Sequence, residues 1–185
     1  MSKVDLSAFS AGDFDKGASR VKMIVWYFVN ALLVRASWNP CMRVKIVLLR
    51  AFGACIGKGL VIKNNVTIKF PWKLTIGDNV WLGEQCWIDN LDNVTIGNNV
   101  CISQGALLLT GNHDYTVSSM PYRNASITLE DGVWVGAKVV VCPGVTMREN
   151  SIATVGSVIT KNTEADGIYQ GIPAKMIKKR EVNDE

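Results

Sequence analysis

The chain has 185 residues, of which 48% are hydrophobic and 19% charged. That is one domain with enough apolar mass for a sizeable core, and it excludes a chain disordered by composition. Twenty Lys and Arg against 16 Asp and Glu leave a net charge of +4. This excess is too small to argue nucleic-acid binding without a motif, and no zinc-finger, RNA-recognition or basic-zipper pattern occurs.

The single histidine excludes every zinc site built on two or three imidazoles, and no metal is expected. The five cysteines, Cys41, Cys55, Cys86, Cys101 and Cys142, are odd in number and widely spaced, with no CxxC. They predict reduced, mostly buried thiols and a cytoplasmic compartment. There is no Walker loop and no dinucleotide GxGxxG, so nucleotide hydrolysis and hydride transfer have no support.

In chain order, residues 1–52 form an N-terminal segment, partly helical. Met1 to Arg20 is polar and lacks the apolar core of a signal peptide. Val21–Val34 is apolar except for Lys22 and Asn30, and Arg20 and Arg35 bracket it. It is shorter than the roughly 20 residues a spanning helix needs. Two readings stay open: a helix buried in the fold or between subunits, and a helix lying on a membrane surface. Trp38-Asn39-Pro40 breaks the chain, and Arg43–Phe52 reads as a second short helix.

From residue 53 to 165 the period changes. Aliphatic side chains recur at every sixth position: Ile56, Ile62, Ile68; Ile76, Leu82, Ile88; Ile96, Ile102, Leu108; Leu129, Val135, Val141; Met147, Ala153, Ile159. By chance such a run has a probability on the order of one in 10⁵. Four residues after each aliphatic a small or β-branched residue is usual, as at Val66, Cys86, Ala106 and Ser157. Gly follows it in Ile56-Gly57, Ile76-Gly77, Leu82-Gly83, Ile96-Gly97 and Val135-Gly136. A period of six fits neither a helix nor a plain strand. It fits a solenoid in which each hexapeptide gives a short strand and a corner, three make a triangular coil, and Gly or Asn permits the tight corner. The positions above make five coils. The repeat fails between Leu108 and Leu129, where a polar loop, 110–126, holds the only histidine, His113. Residues 166–185 read as a C-terminal tail.

These features resemble the hexapeptide-repeat acyltransferases, and within them the colanic acid biosynthesis acetyltransferases. The closer likeness rests on Leu49-Arg50-Ala51-Phe52-Gly53-Ala54-Cys55-Ile56-Gly57, Phe70-Pro71-Trp72-Lys73-Leu74, Val100-Cys101-Ile102-Ser103-Gln104-Gly105 and Thr110-Gly111-Asn112-His113-Asp114-Tyr115. The resemblance implies an all-β fold, a left-handed parallel β-helix with a short helical N-terminal segment and a projecting loop. It implies an acetyl-CoA-dependent O-acetyltransferase acting on a sugar or saccharide hydroxyl, with the coenzyme between subunits of a homotrimer. Same-fold acetylation of an antibiotic or amine, and a non-catalytic scaffold, are the alternatives.

The resemblance also assigns residues. His113 would be the general base, suited by an imidazole that is mostly neutral near pH 7. Asp89 and Asn90, one coil earlier, would hold the acceptor hydroxyl or orient the imidazole; Asp114 is equally available by sequence, and Asp/Asn pairs are also ordinary corner residues. Asp131-Gly132-Val133-Trp134-Val135-Gly136-Ala137 resembles the edge of the pantetheine channel. There the Ala137 amide would face the thioester oxygen, and Trp134 would be a wall or a subunit-packing residue. Val155, Thr160 and Lys161 would line the next coil's coenzyme edge. The family's usual Gly-Ala-Gly-Ser is here Thr154-Val155-Gly156-Ser157, a change that a backbone contact survives. Gly171-Ile172-Pro173-Ala174-Lys175 resembles the family's terminal signature. Lys161, Lys175 and Lys178 are the candidate cations for the coenzyme phosphates, or part of a solvated tail. The expected setting is the cytoplasm, with peripheral contact at the inner membrane if the Val21–Val34 face docks there.

Overall fold

The computed structural model of the chain describes residues 3–39 and 41–182. The six-residue period winds the chain into a three-sided parallel β-helix. One face stacks Cys55–Ile56, Leu74–Ile76, Val94–Ile96, Ile127–Leu129 and Thr146–Met147. The second stacks Val61–Ile62, Trp81–Leu82, Cys101–Ile102, Trp134–Val135, Ile152–Ala153 and Gly167–Gly171. The third stacks Thr67–Ile68, Trp87–Asp89, Leu107–Leu109, Val140–Val141 and Val158–Ile159. Every strand pairs in register with the same position of the next coil, as in Ile76↔Ile96, Leu82↔Ile102 and Ile88↔Leu108.

The inward aliphatics carry the fold. From Ile62 to Ile159 every six-spaced position is buried, each contributing about 1.5–3 kcal/mol. Ile56, in the first coil, is half-buried. The small positions between them are buried too. The register breaks, Ile68 to Ile76, Ile88 to Ile96 and Leu108 to Leu129, all fall at the corner joining the third face to the first. Insertions therefore pile up along one edge of the prism, and the His113 loop is the largest of them.

The solenoid does not stop after five coils. Thr163 N–H donates to Thr146 O at 3.1 Å, continuing the first face. Gly167–Gly171 then extends the second face, and Ala174–Lys179 folds back on it antiparallel. Much of the segment read as a tail is thus a hairpin on a partial sixth coil; residues 183–185 lie outside the described residues. Two inward serines fasten this end: Ser151 Oγ accepts from Thr163 Oγ1 at 2.9 Å, and Ser157 Oγ accepts from Gly171 N–H at 3.1 Å.

Two helices cap the other end. α1 (Arg20–Val29) starts at Ser19, whose hydroxyl accepts from Lys22 N–H, and runs on as one π-helical turn, Asn30–Val34. α2 (Met42–Ala51) follows; Pro40, at the expected break, lies outside the described residues. Trp26, Val34 and Leu49 point into the core. Trp26 is 2% exposed and its indole N–H donates to Ile68 O at 3.0 Å. Lys45 is also buried, its ammonium donating to Asn64 Oδ1 at 3.0 Å, and burial pushes its pKa down. The residues before α1 form a strap. Trp72 indole N–H donates to Lys16 O at 2.7 Å, Lys73 Nζ donates to Asp15 O at 2.6 Å, and Asp5 N–H donates to Ser118 O at 2.9 Å.

Candidate active site

His113 sits at the root of the 110–126 loop, on the edge between the third and first faces. The loop doubles back on itself: Asp114 N–H donates to Pro121 O and Arg123 N–H to Asn112 O. This sets the His113 ring on the Tyr122 ring, with centroids 5.0 Å apart and planes at 29°. Phe9 of the strap meets both rings edge-on, at 6.0 Å and 5.5 Å. His113 Nδ1 lies 2.7 Å from Met120 O. A carbonyl can only accept, so Nδ1 carries the proton, and in the neutral ring Nε2 keeps its lone pair. The imidazole is held in the tautomer a general base requires.

The orienting partner is that carbonyl and not a carboxylate. Asn90 is fully buried, its amide accepting from Phe70 N–H at 2.9 Å and donating to Phe70 O at 2.6 Å. One N–H and one lone pair of the amide pin an insertion to the next coil, which gives Asn90 a structural task in the core. Asp89 is buried, with Oδ1 2.9 Å from Lys69 Nζ, an ion pair without hydrogen-bond alignment. Its Oδ2 points toward the space beside Gly111. Asp114 accepts from the Thr116 side chain and N–H, which pulls its pKa below the ordinary value. None of the three hydrogen-bonds the His113 ring. Tyr122 also lines a polar cleft of about 520 Å³ between strap and loop, with Asp13, Asp15, Lys73, Asp92 and Arg123.

The proposed donor groove lies elsewhere on the chain. Trp134 stands half-exposed on the second face, its indole N–H donating to Ser103 Oγ at 2.9 Å. Ala137 and Val155 occupy successive corners between the second and third faces, stacked through Gly156 N–H to Ala137 O at 2.9 Å. The Ala137 N–H makes no hydrogen bond among the described residues. Thr160 and Lys161 lie on the His113 edge, two coils above the loop. Lys175 and Lys178 are exposed on the terminal hairpin. Lys161, Lys175 and Lys178 form no ion pair among the described residues, whereas Lys179 lies 3.4 Å from Glu164. The structure therefore divides the expected site between two edges, separated by one face of roughly six residues, or about 15–20 Å at ~3.3 Å per residue.

No family model matches the chain. The protein "Putative colanic acid biosynthesis acetyltransferase WcaF" of Escherichia coli K12 is 35% identical over 178 residues, covering 95% of this chain and 97% of its own. The chain belongs to the hexapeptide-repeat acetyltransferases. Galactoside O-acetyltransferase of Escherichia coli is 31% identical over 141 residues, 74% of this chain and 68% of its own. Among solved structures, the hexapeptide-repeat acetyltransferase of Vibrio cholerae complexed with acetyl coenzyme A superposes with a TM-score of 0.82 at 20% identity, over 95% of this chain and 97% of that one. Galactoside acetyltransferase in complex with coenzyme A gives 0.76 at 22%, over 86% and 80%.

For a hexapeptide-repeat acetyltransferase, sequence reasoning found the loop and missed its supports. Met120, Tyr122 and Phe9 have no period and no motif. The available signal was weak: two phenylalanines, Phe9 and Phe14, in an otherwise polar segment, which pack on Tyr122.

Proposed function

We propose that this protein transfers an acetyl group from acetyl-CoA to a hydroxyl of a saccharide, by direct attack, in a cytoplasmic homotrimer working near the inner membrane. The observation that carries this reading is the 2.7 Å contact between His113 Nδ1 and Met120 O, which leaves Nε2 free as a base. The acceptor hydroxyl loses its proton to Nε2 as its oxygen bonds to the thioester carbon. The Ala137 amide, free to donate, stabilises the oxygen that gains charge. The carbon–sulfur bond then breaks, and the imidazolium returns the proton to the thiolate. No acyl-enzyme is formed. Cys86, the most buried thiol, donates to Ser103 O at 3.0 Å and is held protonated by burial.

The division between two edges supports a trimer. His113, Thr160 and Lys161 on one edge meet Trp134, Ala137 and Val155 only if two chains stand side by side. The coenzyme would lie between them along the prism axis, with Lys161, Lys175 and Lys178 facing its phosphates. The polar cleft between strap and loop, with its carboxylates and Arg123, suits a polyhydroxylated acceptor. The test is coenzyme A release across monosaccharides, nucleotide sugars, lipid-linked sugars, amino sugars and antibiotics. Turnover with hydroxyl acceptors alone supports the reading, and turnover confined to amines rejects it.

A further inference from the structure

We propose that the helical cap at the N-terminal end of the solenoid is a docking surface for an anionic lipid bilayer. The proposal rests on the membrane-proximal reading above and supplies the surface for it.

Two independent features coincide at this end of the molecule. The first is the outer side of α1. Trp26 turns inward, and at roughly 100° per residue Ile24 and Phe28 lie on the opposite side. There Val21, Ile24, Phe28 and Leu32 are 71%, 59%, 56% and 60% exposed. They form one stripe at helical spacing; Tyr27, beside Phe28, is exposed as well. A stripe of this kind on a helix is ordinarily a buried one. Here its inward side already closes the solenoid, and the outer side is left uncovered by the described residues. Among the described residues no helix is long and apolar enough to cross a membrane, and an interfacial helix has no need to be.

The second feature is charge. From Lys16 to Gly77 the chain contains eleven Lys and Arg and not one Asp or Glu. The remaining nine cations and all sixteen carboxylates lie outside that stretch. A modest net charge therefore conceals a strongly polarised molecule whose cap and first coil are purely cationic. Arg20 and Arg35 bracket the apolar stripe in sequence, Arg43 lies at the start of α2 in the same cap, and all three are exposed. Set face to face, two such stripes would bring like charges together, which disfavours a second copy seated on this surface as the occupant. An anionic bilayer accepts both the apolar stripe and the cations.

The fold adds orientation. The cap contacts the first coil and closes the open end of the prism. In a trimer with its three prisms side by side, the three caps share one end of the molecule, so three weak contacts can engage one membrane together. Trp26 and Lys45 take no part, since both are buried.

The experiment is flotation of the full-length protein with vesicles of phosphatidylcholine and about 30% phosphatidylglycerol, at roughly 0.05 M and 0.5 M salt. The oligomeric state is measured in parallel. The expected result is flotation at low salt that falls at least about fivefold at high salt. Ile24→Glu/Phe28→Glu and, separately, Arg20→Glu/Arg35→Glu/Arg43→Glu should each abolish it while the wild-type oligomeric state and acetyl-CoA binding persist. Absence of flotation overturns the proposal. So does a variant whose assembly dissociates, which would make the stripe a subunit interface, and so does equal binding to uncharged vesicles. Acetyl transfer to a soluble acceptor is scored separately, so loss of docking and loss of the proposed activity remain distinguishable.

Discussion

Met120 holds His113 through its carbonyl at 2.7 Å, and it does so from a left-handed backbone conformation, φ +45°. A non-glycine residue there costs about 1 kcal/mol or more. Its N–H, donating to Val117 O at 3.0 Å, closes the turn that keeps it in place. The strain is local to the group that sets the imidazole tautomer. His113→Ala should lower kcat/KM by at least about 10²-fold with acetyl-CoA affinity unchanged. Tyr122→Ala keeps the base and removes the ring it stacks on. It should lower kcat by roughly 5- to 20-fold with little change in KM. Steady-state kinetics with calorimetric acetyl-CoA binding decides both. Near-normal turnover in His113→Ala would sink the mechanism.

The proposed site, spread over two edges and completed in a trimer, makes a second expectation quantitative. His113→Ala and a groove-filling Ala137→Tyr should each be inactive alone. When the two are co-assembled at equal amounts, a site is intact only where a good histidine edge meets a good groove edge. Random trimers give about one quarter of wild-type activity. A site contained within one chain predicts no recovery, so an inactive mixture of verified hetero-trimers refutes the shared site.

The repeat is legible in the sequence because an inward position inside a narrow prism strongly favours an apolar side chain, and the single coil of Ile76, Leu82 and Ile88 already defines the period. His113 stands out in the sequence because it is the one histidine and lies in the longest interruption of that period. The strap does not, since Phe9 and Phe14 act across more than a hundred residues and follow no spacing. The bonds by which Asn90 satisfies the Phe70 backbone are not legible in the sequence, because a buried polar residue at a corner has the same local pattern as a solvated one. The five glycines that directly follow an inward aliphatic, Gly57, Gly77, Gly83, Gly97 and Gly136, are not in the left-handed conformation that a tight corner suggests. The left-handed corner positions are taken by residues such as Asn79, Asn99, Gly105 and Lys138.

What Gly77 supplies is space. A Cβ there would lie 2.8 Å from the backbone of Gly97 in the next coil. Gly77→Ala should therefore cost about 1–3 kcal/mol and lower Tm by roughly 3–10 °C. Gly105 is the converse case. It is left-handed, φ +69°, and a Cβ would meet only the flexible Lys138 side chain at 3.5 Å. Since Gln85 and Lys138 adopt the same conformation one coil on either side, Gly105→Asn should change stability by less than about 0.5 kcal/mol. Thermal unfolding of the pair tests the distinction, and equal losses would contradict it.

Cys86 gives an expectation in pH. Burial in the column between Val66 and Ala106 raises its pKa from an ordinary 9.0 to about 11. Below pH 9 the thiol is protonated in both the native and the unfolded chain. Between pH 9 and pH 11 the unfolded chain releases a proton that the native protein retains, so stability present below pH 9 falls as pH rises through this window. The loss attributable to this one group is about 2 kcal/mol. Cys86→Ala places the same side chain as Ala106 in the adjoining coil. It should cost about 1 kcal/mol at pH 8 and lose less on going to pH 11 than the wild type does. Chemical denaturation of both proteins at pH 8, 9.5 and 11 measures the difference between their slopes, with thiol labelling as a cross-check. Exposed Cys41 and Cys55 should react in the native protein at pH 8 while Cys86 reacts only after unfolding. Parallel pH profiles, or rapid native labelling of Cys86, would show that the thiol is not shielded by the coil above it.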